Sequence, residues 1–297
     1  MNSSQVSIGP AALEHVVCAL CGRNDDERVI EGRDLRRKVP GRFRIVRCRH
    51  CGLAYVNPRP TRATIGCYYP AGYTPHRSGP PTLFEDLYYR LFRRLPAPPG
   101  ARVLDVACGG GKYLLHLRGR GYRVTGIEPD LRTAERLERE QGLEVIAGTL
   151  PEAPVPDGVF DVVTFWWVLE HTHDPLENLR AARRALRPGG LVLVSVQNFA
   201  SLGRLIFGAY WHHLDLPGHL YHFEAGTLRT MLRHAGLAPV RTRQDLLEKD
   251  LLPSLAHRLG LKNGLDGPLA MLAGLPFDLV TFLARRSGLV TVYARRD

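Results

Sequence analysis

Apolar and polar positions alternate regularly over most of the chain. From residue 101, short apolar runs alternate with stretches that are apolar at every third or fourth position, which predicts strand-helix units. Seven strands are expected near residues 102–106, 122–128, 143–147, 160–166, 191–197, 238–243 and 289–294. This order indicates an α/β fold with a doubly wound, mostly parallel, Rossmann-like sheet, which binds ligands at the carboxyl ends of its strands.

Residues that favour helix ends punctuate the same pattern. Thr82 and Glu85 have the spacing of a capping box, which predicts that a helix starts there. Asp130 is expected to cap a second helix, and Gly142 to end it. The apolar stripe over residues 83–95 has helical spacing, so we expect it to pack on the core.

The N-terminal region contains two Cys-x-x-Cys pairs, each followed at once by glycine. Such pairs can present four thiolates to one zinc ion, and two short alternating stretches between them predict a zinc ribbon. A four-cysteine site leaves no open position for water or substrate, so a structural metal is favoured over a catalytic one. Disulfide pairing is the lesser alternative. The four expected ligands are Cys18, Cys21, Cys48 and Cys51.

A glycine turn follows the first predicted strand of the main sheet. Gly109 and Gly111 allow a ligand to approach the backbone, and Glu128 ends the next strand, where a carboxylate can accept hydrogen bonds from a ribose. A nicotinamide dinucleotide site needs a third glycine, and Leu114 stands in its place. Asp105 on the strand also suits a cofactor without phosphate groups better.

At these residues the chain resembles the class I S-adenosylmethionine-dependent methyltransferases. Their D/E-x-G-x-G-x-G motif is matched by Asp105, Gly109 and Gly111, with Ala107 in place of the first glycine. We expect this replacement to be mild, because alanine suits a backbone with negative φ. Thr149 stands where many relatives have an acid near the adenine. The resemblance implies a cofactor site formed by Asp105, Ala107, Gly109, Gly111, Glu128, Pro129, Thr149, Leu150 and Trp166.

The resemblance extends beyond the core. The block from Cys48 to Pro60 and the segment from Trp211 to Phe223 are similar to those of zinc-containing methyltransferases of sugar and natural-product pathways. This similarity implies a structural zinc ion and a small-molecule methyl acceptor, a sugar or natural-product intermediate. A lipid-linked or quinone-type acceptor at a membrane surface is an alternative.

Methyl transfer to a hydroxyl or amine is assisted by a base that removes the proton of the acceptor. Four histidines lie within residues 212–222, after the fifth predicted strand of the sheet, where its ligand crevice opens. His219 is the first candidate for the base. The further candidates are His222, Tyr221 and His171.

The expected domain organisation has five parts. These are a zinc ribbon (1–60), a linker and amphipathic helix (61–98), the cofactor-binding core (99–245), an apolar helical insertion (246–287) and the last core strand (288–297). We expect the insertion to pack on the core as a helical pair. The alternative is a peripheral membrane contact, which Arg285 and Arg286 can assist at an anionic surface.

The chain has a formal net charge of +11. Its arginine clusters, among them 33–38 and 90–94, are interpreted as solvated helix faces, so no nucleic acid is expected as a partner. No signal-peptide pattern is present at the N-terminus, which predicts a cytoplasmic protein. Two rival hypotheses are a non-catalytic binding protein that uses the ribbon and a nicotinamide oxidoreductase.

Overall fold

The structure, a computed structural model, describes residues 12–69, 78–246, 250–261 and 268–297, with the backbone alone for 268–271. The N-terminal residues that carry the expectation of a cytoplasmic location lie outside this part. So does much of the linker, residues 70–77.

Thirteen strands and eight α-helices are present in the described residues. The strands are β1 (Leu13–Glu14), β2 (Asp26–Gly32), β3 (Phe43–Cys48), β4 (Ala54–Val56), β5 (Arg59–Pro60), β6 (Arg102–Val106), β7 (Arg123–Glu128), β8 (Glu144–Ala147), β9 (Phe160–Trp166), β10 (Leu186–Gln197), β11 (Tyr221–His222), β12 (Ala238–Gln244) and β13 (Leu289–Arg295). The helices are α1 (Leu83–Phe92), α2 (Lys112–Arg118), α3 (Leu131–Gln141), α4 (Pro175–Ala185), α5 (Leu202–Phe207), α6 (Ala225–His234), α7 (Leu251–Leu259) and α8 (Pro268–Leu283).

The main sheet has seven strands in the order β12-β13-β10-β9-β6-β7-β8. Strands β6 to β10 are parallel, and β13 is antiparallel to both of its neighbours. The central strands are apolar on both faces, as sheets covered by helices on both sides require. The chain order reverses between β6 and β9, and this switch point is where such sheets bind ligands. The predicted fold class is confirmed.

The ribbon forms a second sheet with the order β11-β4-β3-β2. Its fourth strand comes from far along the chain, because Tyr221 and His222 pair with Tyr55 and Ala54. The segment after β10, which carries three of the four predicted catalytic residues (His219, Tyr221 and His222), is therefore hydrogen-bonded directly to the ribbon.

Helix α1 begins at the predicted capping box, since the Thr82 and Glu85 side chains each accept a hydrogen bond from the other residue's backbone N–H. The expectation that its apolar stripe packs on the core is wrong for most of the stripe. Leu83 is 88% exposed and Leu91 59%. The reason is that polar contacts on another face hold the helix, where Glu85 accepts from Lys112 at 2.8 Å.

The insertion before β13 contains α7 and α8, as the apolar pattern predicts. Its packing on the core is only partial, because Ser254 and Ala256 are buried whereas six apolar side chains of α8 are exposed. Those six are Leu272, Leu275, Leu279, Val280, Phe282 and Leu283. Within the described ranges, no helix has both the length and the apolar character needed to cross a membrane.

Candidate active site

The glycine turn connects β6 to α2 at the switch point of the sheet. Gly109 and Gly111 have φ values of 56° and 74°, in the left-handed region that favours glycine. Gly111 also has no room for a side chain, because a Cβ atom there would lie 2.9 Å from Leu137 and Leu143 side-chain atoms. The turn therefore presents backbone without side chains at the carboxyl end of β6.

Ala107 corrects one expectation from the sequence. Its φ is +54°, whereas the expectation of a mild replacement depended on a negative φ. An L-residue in this region is strained by roughly 1–2 kcal/mol. The first position of the motif therefore keeps the backbone conformation of glycine although the residue is alanine.

Glu128 braces the turn from the end of β7. Its carboxylate accepts hydrogen bonds from the backbone N–H of Gly109 at 2.8 Å and of Asp130 at 3.0 Å. The side chain is buried, with 2% exposure. A carboxylate oxygen can accept more than one hydrogen bond, so these contacts leave acceptor capacity for a ribose.

Asp105 lies beside this turn on β6, opposite Thr164 of β9. The Thr164 hydroxyl donates to the Asp105 carboxyl at 2.6 Å. Burial raises the pKa of Asp105 to about 7, although Thr164 and the nearby Arg93 oppose this shift. A nearby cationic ligand would favour the ionised carboxylate.

The remaining predicted cofactor residues lie at or beyond the ends of neighbouring strands. Pro129 follows β7 and is exposed, and Trp166 ends β9 with 9% exposure. Thr149 and Leu150 follow β8, with Thr149 exposed and Leu150 buried. The Thr149 hydroxyl donates to Glu152 at 3.4 Å. The carboxyl ends of parallel strands share one edge, so these residues and the glycine turn lie along the same side of the sheet.

Arg93, just after α1, is a residue that the sequence interpretation missed. Its guanidinium lies 4.8 Å from the ring centroid of Trp166 and 4.4 Å from that of Trp167. Its Nε is buried without a hydrogen-bond partner among the described residues. The sequence pattern predicts a solvated helix face for the cluster 90–94, and this prediction is wrong for Arg93 because Trp166 and Trp167, distant in sequence, pack beside it.

A second group of polar side chains brings together two residues that follow β9 and one from the segment after β10. Glu170, His171 and His219 come together, with one ligand-type atom of each within 4.8 Å of the others. The rings of His171 and His219 are 4.6 Å apart and nearly perpendicular. The backbone N–H of Leu220 donates to the Glu170 carbonyl at 2.8 Å, which joins the two chain segments.

Burial sets the protonation of this group. It raises the pKa of Glu170 to about 8 and lowers the pKa of both histidines, that of His219 well below its usual value. The Nδ1 of His219 lies 2.9 Å from the His213 carbonyl, which can only accept, so Nδ1 carries the proton. At neutral pH the arrangement is a neutral carboxylic acid beside two neutral imidazoles, with the His219 Nε2 lone pair available.

The other predicted catalytic residues are placed differently. The Tyr221 hydroxyl has partners outside this group, since it accepts from Arg59 at 2.9 Å and donates to the His173 carbonyl. His222 lies on the opposite face of β11, its ring 6.5 Å from that of His219. His212, a further histidine of the segment 212–222 that is not among the named candidates, stacks on His257, with the ring centroids 5.4 Å apart.

The four predicted metal ligands converge at one point in the ribbon. Their sulfur atoms all lie within 4.8 Å of one another, with Cys18 and Cys51 at 3.4 Å and Cys21 and Cys48 at 3.5 Å. Four thiolates around one zinc ion are separated by roughly 3.8 Å, given a Zn–S bond of about 2.3 Å. No disulfide joins these cysteines, so the set fits a tetrahedral zinc site.

The comparison with known proteins agrees with this geometry. A family model described as a methyltransferase domain matches residues 80–242, more than half of the chain. Ubiquinone biosynthesis O-methyltransferase of Xanthomonas axonopodis is 36% identical over 152 residues, which cover 47% of this chain and 64% of that protein. The enzyme of the same name from Xylella fastidiosa is 36% identical over 162 residues, or 50% and 64%. The matched region spans less than two thirds of these relatives.

Solved structures with the same fold include proteins of different chemistry. The [4+2]-cyclase SpnF has a TM-score of 0.51 and 25% identity, covering 71% of this chain and 80% of that one. A methyltransferase in complex with the Trm112 activator of Haloferax volcanii has a TM-score of 0.52, 19% identity and coverages of 72% and 92%, which shows the fold alone. Because the family model spans most of the sheet and the glycine turn, this chain belongs to the class I S-adenosylmethionine-dependent methyltransferases.

Proposed function

We propose that this enzyme methylates a hydroxyl group of a small, apolar, quinone-type acceptor. The observation that carries the proposal is the group formed by Glu170, His171 and His219, of which Glu170 and His171 follow β9, the strand that ends at Trp166. Sheets of this kind bind ligands at the carboxyl ends of their strands, which supports a place for this group beside the cofactor. The relatives named as ubiquinone biosynthesis O-methyltransferases support oxygen as the methylated atom.

On the donor side, the turn from Asp105 to Gly111 and the Glu128 carboxylate would hold S-adenosylmethionine. When bound, this cofactor supplies an electrophilic methyl group. Arg93 has a buried Nε–H that needs an acceptor, and the carboxylate of the cofactor's methionine moiety is a suitable one.

On the acceptor side, His219 is the proposed base. Its Nδ1–H is committed to the His213 carbonyl, which leaves Nε2 as the nitrogen that would accept the hydroxyl proton. Asp215 Oδ2 lies 3.8 Å from Nε2 and would stabilise the imidazolium formed when the proton is taken up. His171 and the neutral Glu170 would orient the acceptor.

An apolar acceptor also accounts for the exposed apolar side chains on helices α5, α7 and α8. Helix α7 packs against both α5 and α8, and apolar side chains are exposed on all three helices. Arg285 and Arg286 are exposed at the end of α8. We propose that this surface rests on an anionic membrane and that the four-cysteine site holds a purely structural zinc ion.

Labelled methyl transfer tests the proposed reaction. The full chain is incubated with methyl-labelled cofactor and, separately, a polyprenylated catechol, a short-chain catechol and a nucleotide sugar. We expect an O-methyl product from the catechols, with the prenylated one preferred. Label in the sugar alone would overturn the proposal in favour of the sugar or natural-product acceptor, which stays a prediction.

Vesicle co-sedimentation tests the proposed membrane contact. We expect the protein to bind phosphatidylglycerol vesicles at low salt, and Leu279→Glu to reduce binding severalfold. The matched control is Leu131→Glu, at a similarly exposed position on α3. Equal binding by both variants would argue against a role for α8.

A further inference from the structure

The loop between β2 and β3 carries three of the ribbon's arginines close together. We name residues 33–38 the arginine loop. Asp34, which is 3% exposed, accepts hydrogen bonds from the backbone N–H groups of Arg36 at 3.0 Å and Arg37 at 2.8 Å. This local bonding shapes the loop, so it is neither a helix nor the solvated face that its charge suggested.

Two of these arginines bind one buried carboxylate on the acceptor side. Arg37 makes a forked contact with Asp215, at 2.8 Å and 3.2 Å, and Arg36 adds a third contact at 3.0 Å. The Asp215 side chain is 2% exposed and that of Arg37 11%. A forked, nearly buried pair fixes geometry in a way that an exposed ion pair does not.

Asp215 is held in an unusual conformation beside the proposed base. Its φ of +37° is in the left-handed region, which costs an L-residue roughly 1–3 kcal/mol and persists only where the surroundings impose it. Its backbone carbonyl accepts from the His219 N–H at 3.1 Å. The backbone conformation of Asp215 therefore sets where its carboxylate lies relative to the His219 imidazole.

Arg37 also lies against Tyr69, a neighbour of the second histidine of the group. Its guanidinium lies 5.5 Å from the ring centroid of Tyr69, and the Tyr69 hydroxyl lies 2.9 Å from His171 Nδ1. One arginine of the ribbon thus contacts the neighbours of both His171 and His219. The pairing of β11 with β4 holds the two parts in register.

We propose that Arg37, assisted by Arg36, is a positioning residue of the methyl-acceptor site, so that the ribbon contributes directly to the geometry of the proposed base. The inference rests on the proposed function only in taking His219 as the base. In this arrangement the ribbon is a wall of the acceptor site, and the cofactor turn is independent of it.

The test uses Arg37→Gln, Arg37→Lys and the control Arg49→Gln in the full chain. Arg49 lies on the ribbon surface, with contacts to Asp25 and Glu27, and is 57% exposed. The readouts are amide hydrogen exchange of the peptide 212–222, the His219 tautomer by nitrogen NMR, and cofactor affinity by calorimetry. None of them requires the acceptor.

We expect Arg37→Gln to accelerate exchange of that peptide about tenfold or more and to mix the His219 tautomers, while cofactor affinity stays within about twofold of the unmodified chain. Arg37→Lys should restore these properties in part, because one ammonium group cannot form the fork. Arg49→Gln should resemble the unmodified chain.

Unchanged exchange and a single Nδ1–H tautomer in Arg37→Gln would overturn the inference. If that variant does not fold, Asp215→Asn removes the other end of the same contact. Unchanged exchange of the peptide 212–222 and an unchanged His219 tautomer in this second variant would equally overturn the inference. Failure of the unmodified chain to methylate any catechol would count against the proposed function and not against this result.

Discussion

The donor and acceptor sides of the proposed active site are built in different ways. The central part of the donor side is nearly continuous in sequence, since Asp105 to Gly111 and Glu128 lie on two adjacent strands and on the turn that follows the first of them. The acceptor side collects residues from the ribbon loop, the end of β9 and the segment 212–222. A site formed by neighbouring residues can be predicted from a sequence motif, whereas a site formed by distant segments depends on how those segments pack.

Replacing the proposed base should separate the two sides most clearly. We expect His219→Asn to reduce the rate of methyl transfer by about 10²–10⁴-fold, because general-base catalysis contributes on this scale. Cofactor affinity, measured by calorimetry, should change less than twofold. The exposed His15 provides the control, and His15→Asn should keep the full rate. Equal rates for the two variants would remove His219 from the proposal.

The reverse separation should follow from the donor side. Glu128→Ala removes the acceptor of two backbone hydrogen bonds, and we expect cofactor affinity to fall about 10- to 100-fold, since hydrogen bonds to charged groups contribute about 1.5–3 kcal/mol each. Exchange of the peptide 212–222 should not change. Glu135→Ala, at an exposed position of α3, is the control for calorimetry. Undiminished affinity in Glu128→Ala would contradict the assigned cofactor site.

The pH dependence of stability should expose the buried acid of the acceptor side. The folded-state pKa of Glu170 is raised to about 8, so its contribution to stability is full below about pH 4.5 and is lost as the pH rises towards 8. The side chain in Glu170→Gln stays neutral. Between pH 5.5 and 7 this variant should therefore lose about 2 kcal/mol less of its free energy of unfolding than the unmodified chain does.

Urea unfolding at several pH values measures this difference. The control is Asp157→Asn, which neutralises an exposed carboxylate by the same kind of change. Parallel slopes for the unmodified chain and Glu170→Gln would show that Glu170 ionises normally in the folded protein.

The smallest expected effect concerns the backbone of the donor side. Ala107→Gly should raise the free energy of unfolding by up to about 1 kcal/mol, because glycine relieves the positive φ at some cost in chain entropy. Ala101→Gly, at a residue of ordinary negative φ, should lower it by roughly 0.5–1 kcal/mol. Thermal unfolding of both variants checks the opposite signs, and a loss of stability in both would mean that the strain at Ala107 is absent in solution.

Several elements of the fold followed from the sequence because their causes are local. The capping box at Thr82, the cap at Asp130 and the glycine that ends α3 at Gly142 are all found where the pattern predicts them. Each depends on residues within one helical turn. The exposed stripe of α1 did not follow, because the side on which a helix packs depends on contacts such as Glu85 with Lys112.

The arginines show the same limit at the site. The charge pattern predicts solvated surfaces for Arg36, Arg37 and Arg93, yet the first two bind Asp215 and the third lies among aromatic rings. A cluster of charges carries no information about its partners when these lie far away in sequence, 178 residues for Arg37 and Asp215 and 73 residues for Arg93 and Trp166. Tyr221 and His222 were proposed together, but alternation along β11 turns them to opposite faces.

The sequence by itself determined the order of strands and helices, the glycine turn with its acid, and the four cysteines, because each is set by steric or ligand rules over a few residues. Only the tertiary structure decided that β11 completes the ribbon's sheet and that Glu170, His171, His219 and Asp215 form one group. Burial then set the protonation of Glu170 and of the two histidines, and burial is a property of the packed fold and not of any short stretch of chain.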